Sequence, residues 1–259
     1  MPELPEAEAN RRRIEADALN RTIEGFWLGD TEHVDIPGDN ERARLVGRQI
    51  TETRRHGKII FAGSKSGPWL AVHLGMTGSL RPYDGEERPE YTRIAVEFEG
   101  DRRLGFRDPR KFGWMKVIDD PETYLAEDRV GPDARQIGRD AFREVIGGSG
   151  GALKSALMNQ GKLAGLGNLW SDEMLFQTGV APTAKGSDLD EETLDALFDA
   201  MGEVLGTLIE VNADYSKLPS DWLKPGRKEG ADCPRCGGTI AKRKVGGRTA
   251  FYCDSHQGA

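Results

Sequence analysis

Cys233-Pro234-Arg235-Cys236 and, after sixteen further residues, Cys253-Asp254-Ser255-His256 decide how the last part of this chain folds. Each pair spaces two metal-binding side chains two residues apart, which is the spacing of a zinc knuckle. Between the pairs, Val245-Gly246-Gly247-Arg248 reads as a tight hairpin turn, because a two-residue Gly-Gly loop tolerates the positive φ angles that such turns require. Cys233, Cys236, Cys253 and His256 are therefore expected to close one tetrahedral zinc site. Three unrelated thiols and a surface histidine are the competing reading, but all three cysteines of the chain fall in this stretch. A site with four protein ligands has no open position, so the metal is expected to hold structure and carry no chemistry.

The other informative stretch is Met1-Pro2-Glu3-Leu4-Pro5-Glu6. Removal of Met1 would leave Pro2 as a free secondary amine beside two carboxylates. An α-amino group titrates at about 7.7–8.0, so roughly a tenth is unprotonated at pH 7, whereas a lysine has almost none. A secondary amine that attacks a sugar C1′ passes directly to an iminium, the Schiff-base route of covalent catalysis. The ordinary reading is structural: Pro5 suits the first turn of a helix, and Glu3 and Glu6 favour its positive end. A retained Met1 would bury the amine in a peptide bond.

At 259 residues the chain has room for two domains, or for one domain and a small module. No run approaches eighteen apolar residues and the charged start lacks a signal-peptide core, so a soluble, cytoplasmic protein without a membrane partner is expected. Cysteines in that compartment favour metal over disulfides. The net charge of −7 sits awkwardly with a nucleic-acid partner, yet the charge is unevenly spread. Lys224 to Arg248 holds eight Lys or Arg against two acids, and Asp188 to Asp214 holds nine acids and no base. Local basic patches bind phosphate whatever the global sign.

After one opening helix, residues 21–28, 58–62, 69–74, 92–98 and 114–118 are short segments rich in aromatic and β-branched side chains, divided by Gly, Pro and Asp. They predict a β-sandwich or barrel. Composition shifts at Gly147-Gly148-Ser149-Gly150-Gly151, which reads as a flexible break. Beyond it, residues 152–158 and 169–178 look helical. After Asp190, the positions Leu194, Leu197, Phe198, Met201, Val204, Leu205, Leu208 and Ile209 trace one apolar helical face destined for a core.

Six motifs occur in order: Pro2-Glu3-Leu4-Pro5-Glu6; Arg55-His56-Gly57-Lys58; His73-Leu74-Gly75-Met76-Thr77-Gly78-Ser79-Leu80; Asp108-Pro109-Arg110-Lys111-Phe112-Gly113; Gly165-Leu166-Gly167-Asn168 with Asp172-Glu173; and the terminal zinc hairpin. Together they resemble the bacterial formamidopyrimidine-DNA glycosylase and endonuclease VIII family over essentially the whole chain. The resemblance implies an α+β multidomain fold: a catalytic β-sandwich over 1–130, a helix–two-turns–helix domain over 131–222 and a zinc finger over 223–259, with damaged double-stranded DNA in the cleft and the protein acting as a monomer. It implies a bifunctional DNA glycosylase and lyase of base excision repair. Pro2 would be the nucleophile and Glu3 the acid–base group, with Lys58, Glu6 and Glu173 supporting the catalytic site. Met76, Arg110 and Phe112 would fill the gap left by a flipped nucleotide, as apolar wedges do in kinked DNA. Asn168 and Arg248, with Lys58, would hold phosphates, and one structural Zn²⁺ would be bound. The alternative is a DNA- or protein-binding zinc protein that has kept the scaffold without catalysis.

The sequence departs from the family pattern in two places that bear on function. His256 stands where the family usually has cysteine. Asn212 to Asp232 is short and lacks the Gly-Gly-Ser and Leu-Arg-Asp pattern with which oxidised-purine members cap the flipped base. The wedge is of purine type and this segment is not, so the sequence leaves the lesion open.

Overall fold

A computed structural model describes residues 1–64 and 66–258. The chain divides into two compact units, Met1–Arg129 and Val130–Ala259.

The first unit opens with helix α1 (Leu4–Ala18), followed by β1 (Ile23–Leu28) and the short α2 (Asp39–Ala43). Then come β2 (Glu52–His56), β3 (Ile59–Gly63), β4 (Trp69–His73), β5 (Ser79–Asp84), β6 (Thr92–Phe98), β7 (Arg102–Arg107), β8 (Trp114–Ile118) and α3 (Pro121–Glu127). The strands form two antiparallel four-stranded sheets, ordered β1-β6-β7-β5 and β2-β3-β4-β8. One apolar cluster joins Ile94, Val96, Phe98, Leu104 and Phe106 of the first sheet to Ile60, Ala62, Leu70, Val72, Met115 and Val117 of the second. The period-two spacing of these positions puts every second side chain inside, as a sandwich requires. Helix α1 adds Ala7, Ile14 and Ala18 to the same cluster.

Three strands lie outside the segments expected from sequence. β2 reads Glu-Thr-Arg-Arg-His, β5 carries Pro82, and β7 reads Arg-Arg-Leu-Gly-Phe-Arg. Their outer faces are polar. Pro82 is tolerated because β5 is an edge strand.

In the second unit, α4 (Arg139–Phe142) continues into a π-helical turn over Arg143–Gly147, followed by α5 (Leu153–Leu157), α6 (Asn168–Gln177) and α7 (Glu191–Glu210). The hairpin β9 (Ile240–Val245) and β10 (Arg248–Cys253) then leads into α8 (Asp254–Gln257). Asp190 caps α7 by accepting the Thr193 N–H at 2.8 Å, and the expected stripe is turned inward, with Leu194, Leu197, Met201, Val204, Leu205 and Leu208 buried.

The glycine run read as a flexible break is instead built into this unit. Ser149 is buried, the Gly148 N–H returns to the Glu144 carbonyl at 3.0 Å, and a side chain at Gly186 would overlap the Ile146 carbonyl. Gly148 and Gly186 permit close backbone approach, while Gly150 and Gly151 face open space; the chain divides after Arg129. The zinc hairpin belongs to the same compact unit as the helices, through a cluster of Phe176, Leu223, Cys233, Ile240 and Cys253.

Candidate functional site

Pro2 and Glu3 stand at the positive end of α1. Glu3 is the N-cap residue in extended conformation, and Pro5 lies in the first turn, where a missing N–H costs nothing. The Glu6 carboxylate accepts the Glu3 backbone N–H at 2.7 Å, fixing the peptide that joins Pro2 to Glu3. Glu6, expected as an electrostatic support, thus has a stated structural task. Glu3 is only 1% exposed, Pro2 is half-buried and Met1 is 48% exposed. Asn10 anchors the helix to β5, since its Oδ1 accepts the Leu80 N–H at 2.7 Å.

Lys58 follows Gly57 in the two-residue turn between β2 and β3, and Gly57 takes φ +55° as such turns demand. The charge of half-buried Lys58 is felt by His73. Burial, and then the Lys58 charge, lower the His73 pKa to about 4, so the ring is neutral at pH 7. Neutral His73 accepts the Gly75 N–H on Nδ1 at 3.2 Å and stacks on Trp114 with centroids 5.6 Å apart.

Met76, Arg110 and Phe112 sit on two loops that the structure places back to back. Gly75 has φ +61°, and a Cβ there would overlap the backbone of Phe112 and Gly113. Buried Asp108 ties the loops together, accepting the Gly113 N–H at 2.7 Å and the Thr77 hydroxyl at 3.2 Å. Phe112 is 56% exposed, so it is not a core aromatic, and the Arg110 guanidinium lies 5.2 Å from its ring centre. Met76 is half-buried on the facing loop.

In the second unit Asn168 is the first residue of α6, after the Gly167 N-cap, where free N–H groups favour anions. Its carbonyl and the Asp172 carboxylate receive the buried Lys154 ammonium, which also donates to the Thr249 carbonyl at 3.2 Å. Arg227 gives Asp172 two further bonds, of 3.1 and 2.6 Å, and stacks over Phe251. The start of α6 is thereby bound to the residue next to Arg248. Arg248 itself is exposed at the mouth of the hairpin turn, where Gly246 and Gly247 have φ +55° and +76°. A side chain on Gly246 would overlap the Ser155 hydroxyl, so the turn is seated on α5.

Glu173, expected in the catalytic group, is engaged elsewhere. Its buried carboxylate accepts the N–H groups of Leu223 at 3.0 Å and Lys224 at 2.7 Å and the Gln177 amide at 2.8 Å. Burial raises its pKa above the ordinary carboxylate range, and these bonds oppose the rise. Its visible work is to pin the segment that follows α7.

The Sγ atoms of Cys233, Cys236 and Cys253 all lie within 4.8 Å of one another, and the Gly238 N–H points at Cys236 Sγ at 3.4 Å. A Cβ at Gly238 would press on the sulfurs of Cys236 and Cys253, at 3.2 and 3.3 Å. Converging thiols with backbone donors around them suit structural zinc. His256, expected as the fourth ligand, lies outside this cluster of three. α8 begins directly after Cys253 and carries the ring to Phe176, with Nε2 2.8 Å from the Phe176 carbonyl and ring centroids 4.8 Å apart.

Arg93, Asp108, Lys154 and Arg227 organise these surfaces and were not singled out from sequence. Lys154 had a signal, a lone cation among the apolar residues of Leu153-Lys154-Ser155-Ala156-Leu157. The others gain their partners only through the fold.

Family models match in three blocks: the formamidopyrimidine-DNA glycosylase N-terminal domain over residues 1–115, the formamidopyrimidine-DNA glycosylase H2TH domain over 130–220, and the zinc finger found in FPG and IleRS over 232–255. A formamidopyrimidine-DNA glycosylase of Thermus thermophilus is 34% identical across 100% of this chain and 99% of its own length. One of Arabidopsis thaliana is 32% identical across 97% of this chain and 70% of its own. Among solved structures, MutM in complex with DNA containing carbocyclic 8-oxo-G superposes with a TM-score of 0.89 at 28% identity, covering 100% of both chains. The Lactococcus lactis enzyme bound to AP-site DNA gives 0.88 at 27% identity, again over 100% of both.

Proposed function

The chain belongs to the formamidopyrimidine-DNA glycosylase family, and from that premise we propose that its glycosylase and AP lyase chemistry is carried by Pro2 and Glu3. It is a DNA glycosylase with AP lyase activity of base excision repair. The observation that supports the residue assignment is the Pro2–Glu3 junction, in which buried Glu3 directly follows Pro2 at a helix N-terminus and its backbone N–H is held by Glu6.

With Met1 removed, the Pro2 nitrogen attacks C1′ of the damaged nucleotide. The bond from C1′ to the base breaks, and the base departs with the bonding electrons and takes up the proton that the Pro2 nitrogen releases. Glu3 gives a proton to the sugar ring oxygen as the ring opens, and the nitrogen–C1′ bond becomes an iminium. The iminium acidifies the C2′ protons. Loss of one proton expels the 3′ phosphate and cuts the strand. Lys58 and the amides at the start of α6 with Asn168 supply donors for phosphates, Arg248 supplies a guanidinium suited to bidentate contact, and Met76, Arg110 and Phe112 fill the vacated stack. Zinc, held by the three thiols, stabilises the hairpin that presents Arg248.

The substrate is damaged duplex DNA, engaged by a monomer inside the cell. No helix among the described residues is long and apolar enough to cross a membrane. Within the family's range of lesions, 8-oxoguanine is expected to be a weak substrate relative to ring-opened purines, oxidised pyrimidines and abasic sites. Residues 212–224 are held down on α6: Tyr215 meets Trp170 edge-on at 5.5 Å, Trp222 is buried, and Glu173 holds the backbone of Leu223 and Lys224. A short segment committed to such packing has little chain left with which to contact the edge of a flipped base, and discrimination depends on such contacts.

Single-turnover excision on matched duplexes that differ only in the lesion tests this reading. Cleavage of ring-opened purine ahead of 8-oxoguanine is expected. Fast, selective removal of 8-oxoguanine opposite cytosine would contradict the lesion assignment, and no excision of any lesion would contradict the catalytic one.

A further inference from the structure

We infer that Arg93 is a positioning residue for Arg110 and so sets how the enzyme reads the base opposite the lesion; this rests on the wedge role proposed for Arg110. Arg93 lies at a β-bulge. Thr92 pairs with Arg107 and Ile94 with Phe106, so Arg93 is an extra residue without a partner in the ladder. Bulges beside functional sites turn a side chain out of the strand's alternation.

The guanidinium, 8% exposed, is directed at the loop that carries Arg110. Its Nε donates to the Asp108 carbonyl at 2.8 Å and one Nη reaches the Pro109 carbonyl at 3.4 Å, while the other donates to Asp30 Oδ2 at 3.1 Å. Asp30 in turn accepts the Lys111 ammonium at 2.9 Å. Lys111 has φ +56°, a left-handed conformation that this ion pair helps hold. Residues 108, 109 and 111 are thus fixed around Arg110, which is itself exposed and rests on the Phe112 ring. A reader of an unpaired base needs such a frame, because discrimination is lost when a planar donor is free to reorient. Lysine at position 93 would keep the charge but not the fork that spans two carbonyls and a carboxylate.

The test uses the full-length enzyme with one lesion placed opposite each of the four bases, in single-turnover excision by wild type, Arg93→Lys and Arg93→Met. A second readout, free of catalysis, is the fluorescence of 2-aminopurine set opposite a stable abasic analogue, which reports engagement of the orphan base on binding. We expect the spread of rates across opposite bases to shrink by about tenfold in Arg93→Met, the size of one lost charge-assisted bond, and less in Arg93→Lys. The 2-aminopurine response should fall in the same order. Should Arg93→Met not fold, Lys111→Ala and Asp30→Asn should reduce the spread in its place. An equal slowing against all four bases, with the fluorescence response kept, would overturn the inference. Absence of excision by wild type would instead count against the catalytic reading, leaving the fluorescence comparison to decide the role of Arg93.

Discussion

Gly75 and Phe112 meet backbone to backbone: a methyl group on Gly75 would overlap the Phe112 carbonyl, and Gly75 already holds φ +61°. This contact lets the loop carrying Met76 and the loop carrying Arg110 and Phe112 act as one body. Gly75→Ala should therefore cost about 1–2 kcal/mol for the left-handed backbone alone, with the overlap added to it. Lesion excision should slow by at least about tenfold, since displacement of the wedge by about an ångström is costly to a positioned reaction. Denaturant unfolding and single-turnover excision check the two effects. An alanine variant as stable and as fast as wild type would show that the loops are not coupled.

His73 gives the first unit a sensitivity to acid. Its pKa in the fold, about 4, lies below the ordinary 6.5, so the unfolded chain binds the extra proton first. Its contribution is fully present above pH 6.5 and is lost as pH falls from 6.5 toward 4, a loss on the order of 3 kcal/mol. The difference in Tm between wild type and His73→Gln, followed from pH 7.5 to 4, should narrow across that window. A difference independent of pH would mean that His73 titrates normally.

Glu173 is expected to act through the chain it holds. Glu173→Ala leaves the Leu223 and Lys224 N–H groups without their acceptor, which should cost about 1–3 kcal/mol. Hydrogen exchange should rise over residues 215–224. Glu173→Gln keeps a carbonyl acceptor and should restore much of the protection. Loss of activity in the glutamine variant with protection intact would point to direct participation of the carboxylate in the reaction.

The zinc hairpin should be separable into fold and contact. Replacing Cys233, Cys236 or Cys253 with serine, or treating the protein with a strong chelator, should abolish DNA binding, because metal energy in so small a site is folding energy. Arg248→Ala should leave zinc content intact, weaken binding to all sequences alike and lower the salt slope by about one. Metal analysis and fluorescence anisotropy at several salt concentrations measure both. Zinc-free protein with full affinity would refute the assignment.

Sequence carried the sandwich where strands advertise themselves, as in β3, β4 and β6, whose β-branched and aromatic residues are buried. β2, β5 and β7 are arginine-rich or contain proline, and they become strands because neighbours in the sheet cover one face, a tertiary effect that local pattern does not encode. Residues with their own motif, such as Phe112, Arg110 and the three cysteines, were legible. Arg93 was not, because its partners stand 15 to 63 residues away; Asp108 stands in a motif, but its tie to Thr77, 31 residues away, is made only by the fold. His256 is the case between: spacing makes it the expected fourth ligand, and in the fold it lies outside the 4.8 Å thiol cluster with its Nε2 2.8 Å from the Phe176 carbonyl.

The central claim is that the proline nitrogen makes the covalent bond to DNA, and borohydride trapping on an abasic-site duplex tests it most directly. Protein with Met1 removed should give one adduct per chain, located by peptide mass analysis at Pro2. Pro2→Gly, which keeps a terminal amine of another type, should reduce trapping without abolishing it, and Glu3→Gln should slow base excision by at least about tenfold. An adduct on a lysine, or none from protein whose Pro2 is free, would contradict the account.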